Sequence, residues 1–251
     1  MDEAFLEEIR RSIIEVKMHT AGMNMPDPNS RIWRYMKVDH LRDLLYYRRL
    51  YFARADTVSD INEGQLPKSI RETVQAILPH VHRDRNLYPV EELMKQEEKG
   101  LQQYKRAIFL NCWHLEENET KERWQHHSDK VVAIQSTYLK LELASYEKRR
   151  KRYEVSAVNY IDHDNDFVSQ QHPFTIYIQK ASKYAFEREL RAITFSPNPP
   201  DNGGMSISMN LESVLEQIVI SPNVDASARS EIRSIVVESG LNIPIRNSRF
   251  T

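Results

Sequence analysis

Cysteine is nearly absent: Cys112 is the only one in 251 residues. A single thiol excludes an intramolecular disulfide and a cysteine-based zinc site. Glycine is scarce as well, with 6 residues, which leaves few positions for strained turns. No apolar run approaches the roughly 18–20 residues needed to cross a bilayer. Nothing near the N-terminus has the apolar core of a signal peptide. Neither sign of charge dominates, since 35 Lys and Arg face 36 Asp and Glu for a net charge of −1. That balance gives no global reason to expect nucleic acid or an anionic membrane as partner, so any charge-driven binding must be local. These absences predict a soluble, compact protein in a reducing, cytoplasmic setting.

The length suits one sizeable domain carrying an insertion. Phe5, Ile9, Ile13 and Val16 recur at helical spacing and predict an amphipathic N-terminal helix within residues 1–25. A single α+β domain is expected over 30–251, with a helical insertion at 57–105. RIWRYM (31–36) reads as a strand, KVDHLRDLLYYRR (37–49) as a helix with Leu41, Leu44 and Leu45 inward, and LYFARAD (50–56) as a strand. AIFLNCWH (107–114) and KVVAIQST (130–137) are strands on either side of a short helix, and LKLELASYEKRRKRY is a helix that becomes basic at its end. The remainder is rich in strands: YEVSAVNYI, FTIYIQK, MSISMN and EQIVISP, with DASARSEIRSIVVESG as a helix closed by a glycine cap. Helices early and strands late predict a mixed, largely antiparallel sheet.

One stretch resists a packing explanation. In KYAFERELRAITF (183–195), a period of two puts Glu187, Glu189 and Arg191 on one face of a strand. The bland reading is the solvated face of an edge strand, with carboxylates paired to nearby arginines.

Several segments, taken in order, resemble the bacterial domain-of-unknown-function family 2971. They are IWRYM, a leucine-rich helix, LYFA, the acidic turn SDINEG, LNCWH, the tryptophan of RWQHHSDKVVAIQS and the ERELR strand. Where that family has a tyrosine three residues after the tryptophan, this chain has His127. Three of the segments also resemble the arginine, serine, Glu-x-Glu pattern of ADP-ribosyltransferases, which implies a split-sheet cleft for NAD as substrate. The resemblance implies that Arg34 grips a diphosphate or ribose, that Ser136 with Thr137 orients the ribose, and that Glu189 stabilises an oxocarbenium-like transition state. Glu187 would receive the acceptor nucleophile, and Tyr35 or Trp124 would stack on nicotinamide. A bacterial toxin or antiphage effector that transfers ADP-ribose or hydrolyses NAD is the expectation, with a non-catalytic module for nucleotide, nucleic acid or protein as the alternative.

Each residue also has a structural reading. Arg34 could snorkel over an apolar patch, Ser136 and Thr137 could cap the following helix, and Tyr35 and Trp124 could be core residues. Asp60 in SDINEG would matter only in a metal-dependent nuclease, and the pairs His80 with His82 and His126 with His127 lack a third ligand at a known spacing. No metal is expected. The run EKRRKRY (147–153) is the one concentrated basic patch and the expected place for a nucleic-acid acceptor.

Overall fold

The computed structural model describes residues 22–57, 64, 68, 71–73, 76, 90–129, 131–148, 150–166 and 172–250. The expected N-terminal helix, Asp60, His80 and His82 lie outside them. The chain is an α+β protein built on a mixed, mostly antiparallel sheet of nine strands. Strand β1 (Arg31–Met36) leads into helix α1 (Val38–Tyr47), which returns as β2 (Arg49–Arg54). Leu41, Leu44 and Leu45 form the buried stripe of α1 at helical spacing. The helix stops at Arg48, whose left-handed backbone (φ 50) lets its N–H bond to the carbonyl of Leu44.

Helix α2 (Val90–Ala107) leads into the central strand β3 (Ile108–Leu115). The short α3 (Lys121–His126) follows, then β4 (Val132–Thr137) and α4 (Tyr138–Ala144). After them come β5 (Tyr146–Glu147), β6 (Arg150–Lys151), β7 (Glu154–Ala157), β8 (Asn159–Ile161) and β9 (Gln179–Ala181). The chain finishes with β10 (Glu189–Phe195), β11 (Gly204–Ser208), α5 (Leu211–Val214), β12 (Gln217–Ile220), α6 (Ala226–Glu238) and β13 (Ile245–Asn247). Strands β5 with β6 and β8 with β9 form separate two-stranded ribbons.

Both sheet faces are covered. Ile32 and Met36 of β1 pack into the larger core with Leu41, Leu44, Phe109 and Trp113. Trp33 and Tyr35, which alternate with them, pack on the opposite face with Trp124, Ala133 and Val219. Each such apolar side chain contributes about 1.5–3 kcal/mol on full burial. Arg34 is the one charged residue between these buried neighbours.

The register makes the sheet fork. Strand β10 occupies one whole edge of β3, from Glu189 opposite His114 to Phe195 opposite Ile108. Strands β1 and β2 must therefore share the other edge. Strand β1 takes its end, with Ile32 opposite Leu115 and Trp33 opposite His114. Strand β2 takes its beginning, with Ala53 opposite Leu110 and Arg54 opposite Phe109. Asn111, Cys112 and Trp113 lie between the two pairings and face the gap where β1 and β2 diverge.

Several expected elements differ. Residues Ser182–Glu187 form a 3-10 turn, and Arg188 (φ 45) breaks it from β10, so Glu187 is not on the strand. The basic run is not a helix end: α4 stops at Ala144, and the run forms the β5–β6 hairpin with Lys148 at φ 49. YEVSAVNYI divides into β7 and β8 because β8 leaves the main sheet to pair with β9. FTIYIQK begins as a 3-10 turn at Thr175–Tyr177 before becoming β9.

Candidate functional site

The fork holds a cavity of about 410 Å³, within the range of small-molecule sites. Its walls come from β1 (Arg34, Tyr35), α1 (His40, Asp43), β2 (Arg49, Tyr51) and β11 (Ser206). Asn111 fixes the base of the fork. Its Nδ2 donates to the Tyr51 carbonyl at 2.7 Å, and its Oδ1 accepts from Trp113 Nε1 at 2.6 Å. One amide thus supplies a partner to a β2 carbonyl that β3 does not pair.

Arg34 is the exceptional lining residue. Its Nη1 is buried and has no hydrogen-bond partner, and no carboxylate among the described residues forms an ion pair with it. Burial lowers the guanidinium's pKa from its usual value, and only Cys112 acts in the opposite sense. A guanidinium stays charged in proteins, so Arg34, half-buried overall, is a partly desolvated cation without an ion partner. Such a group costs stability unless something anionic completes it.

Glu189, the residue expected at the ribose, lies elsewhere. Directly paired strand residues share a face. Glu189 pairs with His114, which pairs with Trp33, so Glu189 lies on the Trp33 face while Arg34 sits with Ile32 and Met36 on the other. Its carboxylate is buried and fully engaged. Oε1 accepts from Arg191 Nε at 2.9 Å, and Oε2 accepts from Arg191 Nη2 at 2.9 Å and Lys180 Nζ at 3.2 Å. Burial pushes its pKa up, but Arg191 and Lys180 outweigh burial and hold it down at about 2. Glu187 reaches the same ammonium from the 3-10 turn, its Oε2 accepting from Lys180 Nζ at 2.6 Å. The two carboxylates do converge, on Lys180 rather than on an open cleft.

The remaining candidates scatter. Ser136 is opposite Ile32 and thus on the Arg34 face, but it is fully buried and its Oγ donates to the Val214 carbonyl. Thr137 caps α4, its side chain accepting from Lys140 N. Tyr35 and Trp124 are core aromatics packed edge to face at 4.8 Å, and Trp124 Nε1 donates to Glu119 at 2.8 Å. His127 stacks on Tyr35 at 4.8 Å, and its Nε2 lies 3.1 Å from His114 Nε2. Burial, with Arg123 second, lowers the His114 pKa against the hydrogen bond to the Glu187 carbonyl.

Lys151 and Arg152 of the basic run are engaged by neighbouring groups. Lys151 Nζ contacts Glu142 at 2.7 Å and Glu154 at 2.6 Å, and Arg152 donates to the carbonyls of Ser208 and Ala144. No group of three metal-ligating side chains is found among the described residues, and none of their helices is long and apolar enough to cross a membrane. The run YYRRLY (46–51), not singled out from composition, contributes Arg49 and Tyr51 to the cavity wall. Its signal was available: Tyr46 and Tyr47 fall off the Leu41, Leu44, Leu45 stripe of α1 and must face outward. Comparison with family models, with curated proteins and with solved structures finds no match, so function rests on these side chains.

Proposed function

We propose that the protein binds a phosphate-bearing small anion in the sheet fork, with Arg34 as its charge partner. What supports this reading is a buried guanidinium nitrogen without a partner on the wall of a ligand-sized cavity. A planar donor fork in a desolvated site matches two oxygens of one phosphate group. Arg49 adds a second positive charge to the wall, and Asp43 provides an acceptor for a hydroxyl. NAD, through its diphosphate, belongs to the class of ligand this site fits.

An NAD-cleaving role for Glu189 draws less support. That carboxylate is committed to Arg191 and Lys180, so reaching a ribose would mean breaking a buried ion network. The non-catalytic binding module is therefore the reading preferred over the transferase.

The test is thermal unfolding in the presence of phosphate, pyrophosphate, ADP or NAD. A ligand that binds only the folded chain stabilises by RT ln(1 + [L]/Kd), about 2.7 kcal/mol at a hundredfold excess over Kd. At least one of the four should raise the midpoint in a concentration-dependent way, and no shift from any of them would end the proposal. Nicotinamide release from NAD that disappears in a folded Glu189→Gln variant would restore the transferase reading.

A further inference from the structure

The cavity does not stand alone. Tyr46, Tyr47 and Tyr51 are 76 %, 50 % and 48 % exposed, in a chain that buries most of its large apolar side chains. All three come from residues 46–51, which span the end of α1 and the start of β2. Tyr51 is itself a cavity-wall residue. The Arg49 guanidinium lies 4.1 Å from the centre of the Tyr47 ring, and Arg48 is exposed between them in sequence. Arginines interleaved with solvent-facing rings supply the two things a single-stranded nucleic acid offers partners for, phosphates and base faces. Clustered exposed rings rimmed by charge are the kind of patch that marks a binding surface.

The rings are also positioned rather than loose. Tyr51 pairs across β11 with Ser206, and its ring lies over Gly204, where a methyl group would overlap the phenol. Glycine at 204 therefore gives the ring its seat. Tyr46 and Tyr47 meet at 88°, so one base cannot stack on both. Several ring faces in different planes fit successive bases of a strand better than one isolated nucleotide. A duplex, whose base faces are stacked internally, offers them nothing.

On these grounds we infer that the fork and the Tyr46–Tyr51 segment bind single-stranded nucleic acid, with one phosphate on Arg34 and bases stacked on the exposed tyrosines. This rests on the anion reading of the cavity and extends it to a polymer. The net charge of −1 does not oppose it, because the positive charge needed is local: Arg34 and Arg49 line the cavity, and Arg48 is exposed next to Arg49 in the chain. The EKRRKRY hairpin is not required.

The experiment is fluorescence anisotropy with a 5′-phosphorylated oligothymidylate of about ten nucleotides, within the usual span of one single-strand site. Thermal shift with pyrophosphate runs on the same proteins. Wild type should bind the oligonucleotide and release it to pyrophosphate. Tyr46→Ala, outside the cavity wall, should weaken the oligonucleotide about tenfold, the loss of one stacked base, while leaving the pyrophosphate shift in place, and Tyr51→Ala should weaken the oligonucleotide at least as much. Gly204→Ala, which displaces the ring without removing it, should weaken the oligonucleotide in the same direction. A pyrophosphate shift without oligonucleotide binding would overturn this inference and leave the anion site standing. Oligonucleotide binding unchanged by both Tyr51→Ala and Arg34→Met, or equalled by a duplex of the same length, would also overturn it. Absence of both signals would remove the anion reading as well.

Discussion

Glu189 shows how a residue can look catalytic and be structural. Its carboxylate sits between Arg191 and Lys180 with 5 % of its side chain exposed. Removing one partner of a buried ion pair leaves an uncompensated charge, so Glu189→Gln should cost about 3–5 kcal/mol, read as a lower denaturant midpoint. An exposed edge-strand pair would cost about 0–1 kcal/mol instead. Because its folded pKa lies below the unfolded value, the carboxylate contributes stability above the unfolded pKa. That contribution is lost as pH falls toward about 2. His114 acts earlier on the same descent: its folded pKa is also lowered, so acidification below the unfolded value near 6.5 should begin to destabilise the fold. A pH series of melting temperatures should show both losses on the acid side, and His114→Gln should remove the first. The oddity of the Glu187 and Glu189 pair was legible in sequence. Its resolution was not, because Lys180 arrives from a different strand and Arg188 turns the chain between the two glutamates.

Elements were more legible than their pairing. The strand RIWRYM, the leucine stripe of α1 and the capped helix from Ala226 to Glu238 follow from local period and from caps at Asp225 and Gly240. Thr137 belongs to the same level: its side chain accepts from Lys140 N at 3.3 Å, and Thr137→Ala should cost about 1 kcal/mol in a urea melt. The fork was illegible because it depends on how far β1 and β2 each run along β3, which no local pattern encodes. Asn111 holds it together. Asn111→Ala would strand the Tyr51 carbonyl and the buried indole N–H of Trp113, at about 1–3 kcal/mol for each buried group left unpaired. Hydrogen exchange should then accelerate in Arg49–Arg54 more than in Glu189–Phe195, since the latter keeps its full ladder with β3. Equal acceleration in both strands would deny Asn111 a local role. The final strand Ile245–Asn247 also escaped sequence reading, being short and paired in parallel with β12.

At the scale of the whole molecule, charge is balanced, and among the described residues most buried ionic side chains are matched. Glu119 accepts from Arg246 and Trp124, Glu142 meets Lys151, and Arg123 meets Glu116. Glu116 and Glu142 also bury an oxygen without a hydrogen bond but keep an ion partner, whereas Arg34 has an unpartnered Nη1 and no ion pair among the described residues, and it lines the cavity at the fork. Replacing a partly desolvated charge that has no ion partner by an apolar side chain of similar length removes a desolvation cost and should not destabilise the fold. A residue kept for a ligand should therefore be a liability to the fold without it. Calorimetric titration of pyrophosphate into wild type and Arg34→Met, with a melting curve for each, measures both sides of this claim. Binding to wild type, none to Arg34→Met, and a melting temperature in the variant equal to or above wild type are the predicted results. Undiminished binding in Arg34→Met, or a variant that melts well below wild type, would contradict the assignment of Arg34 as the anion's partner.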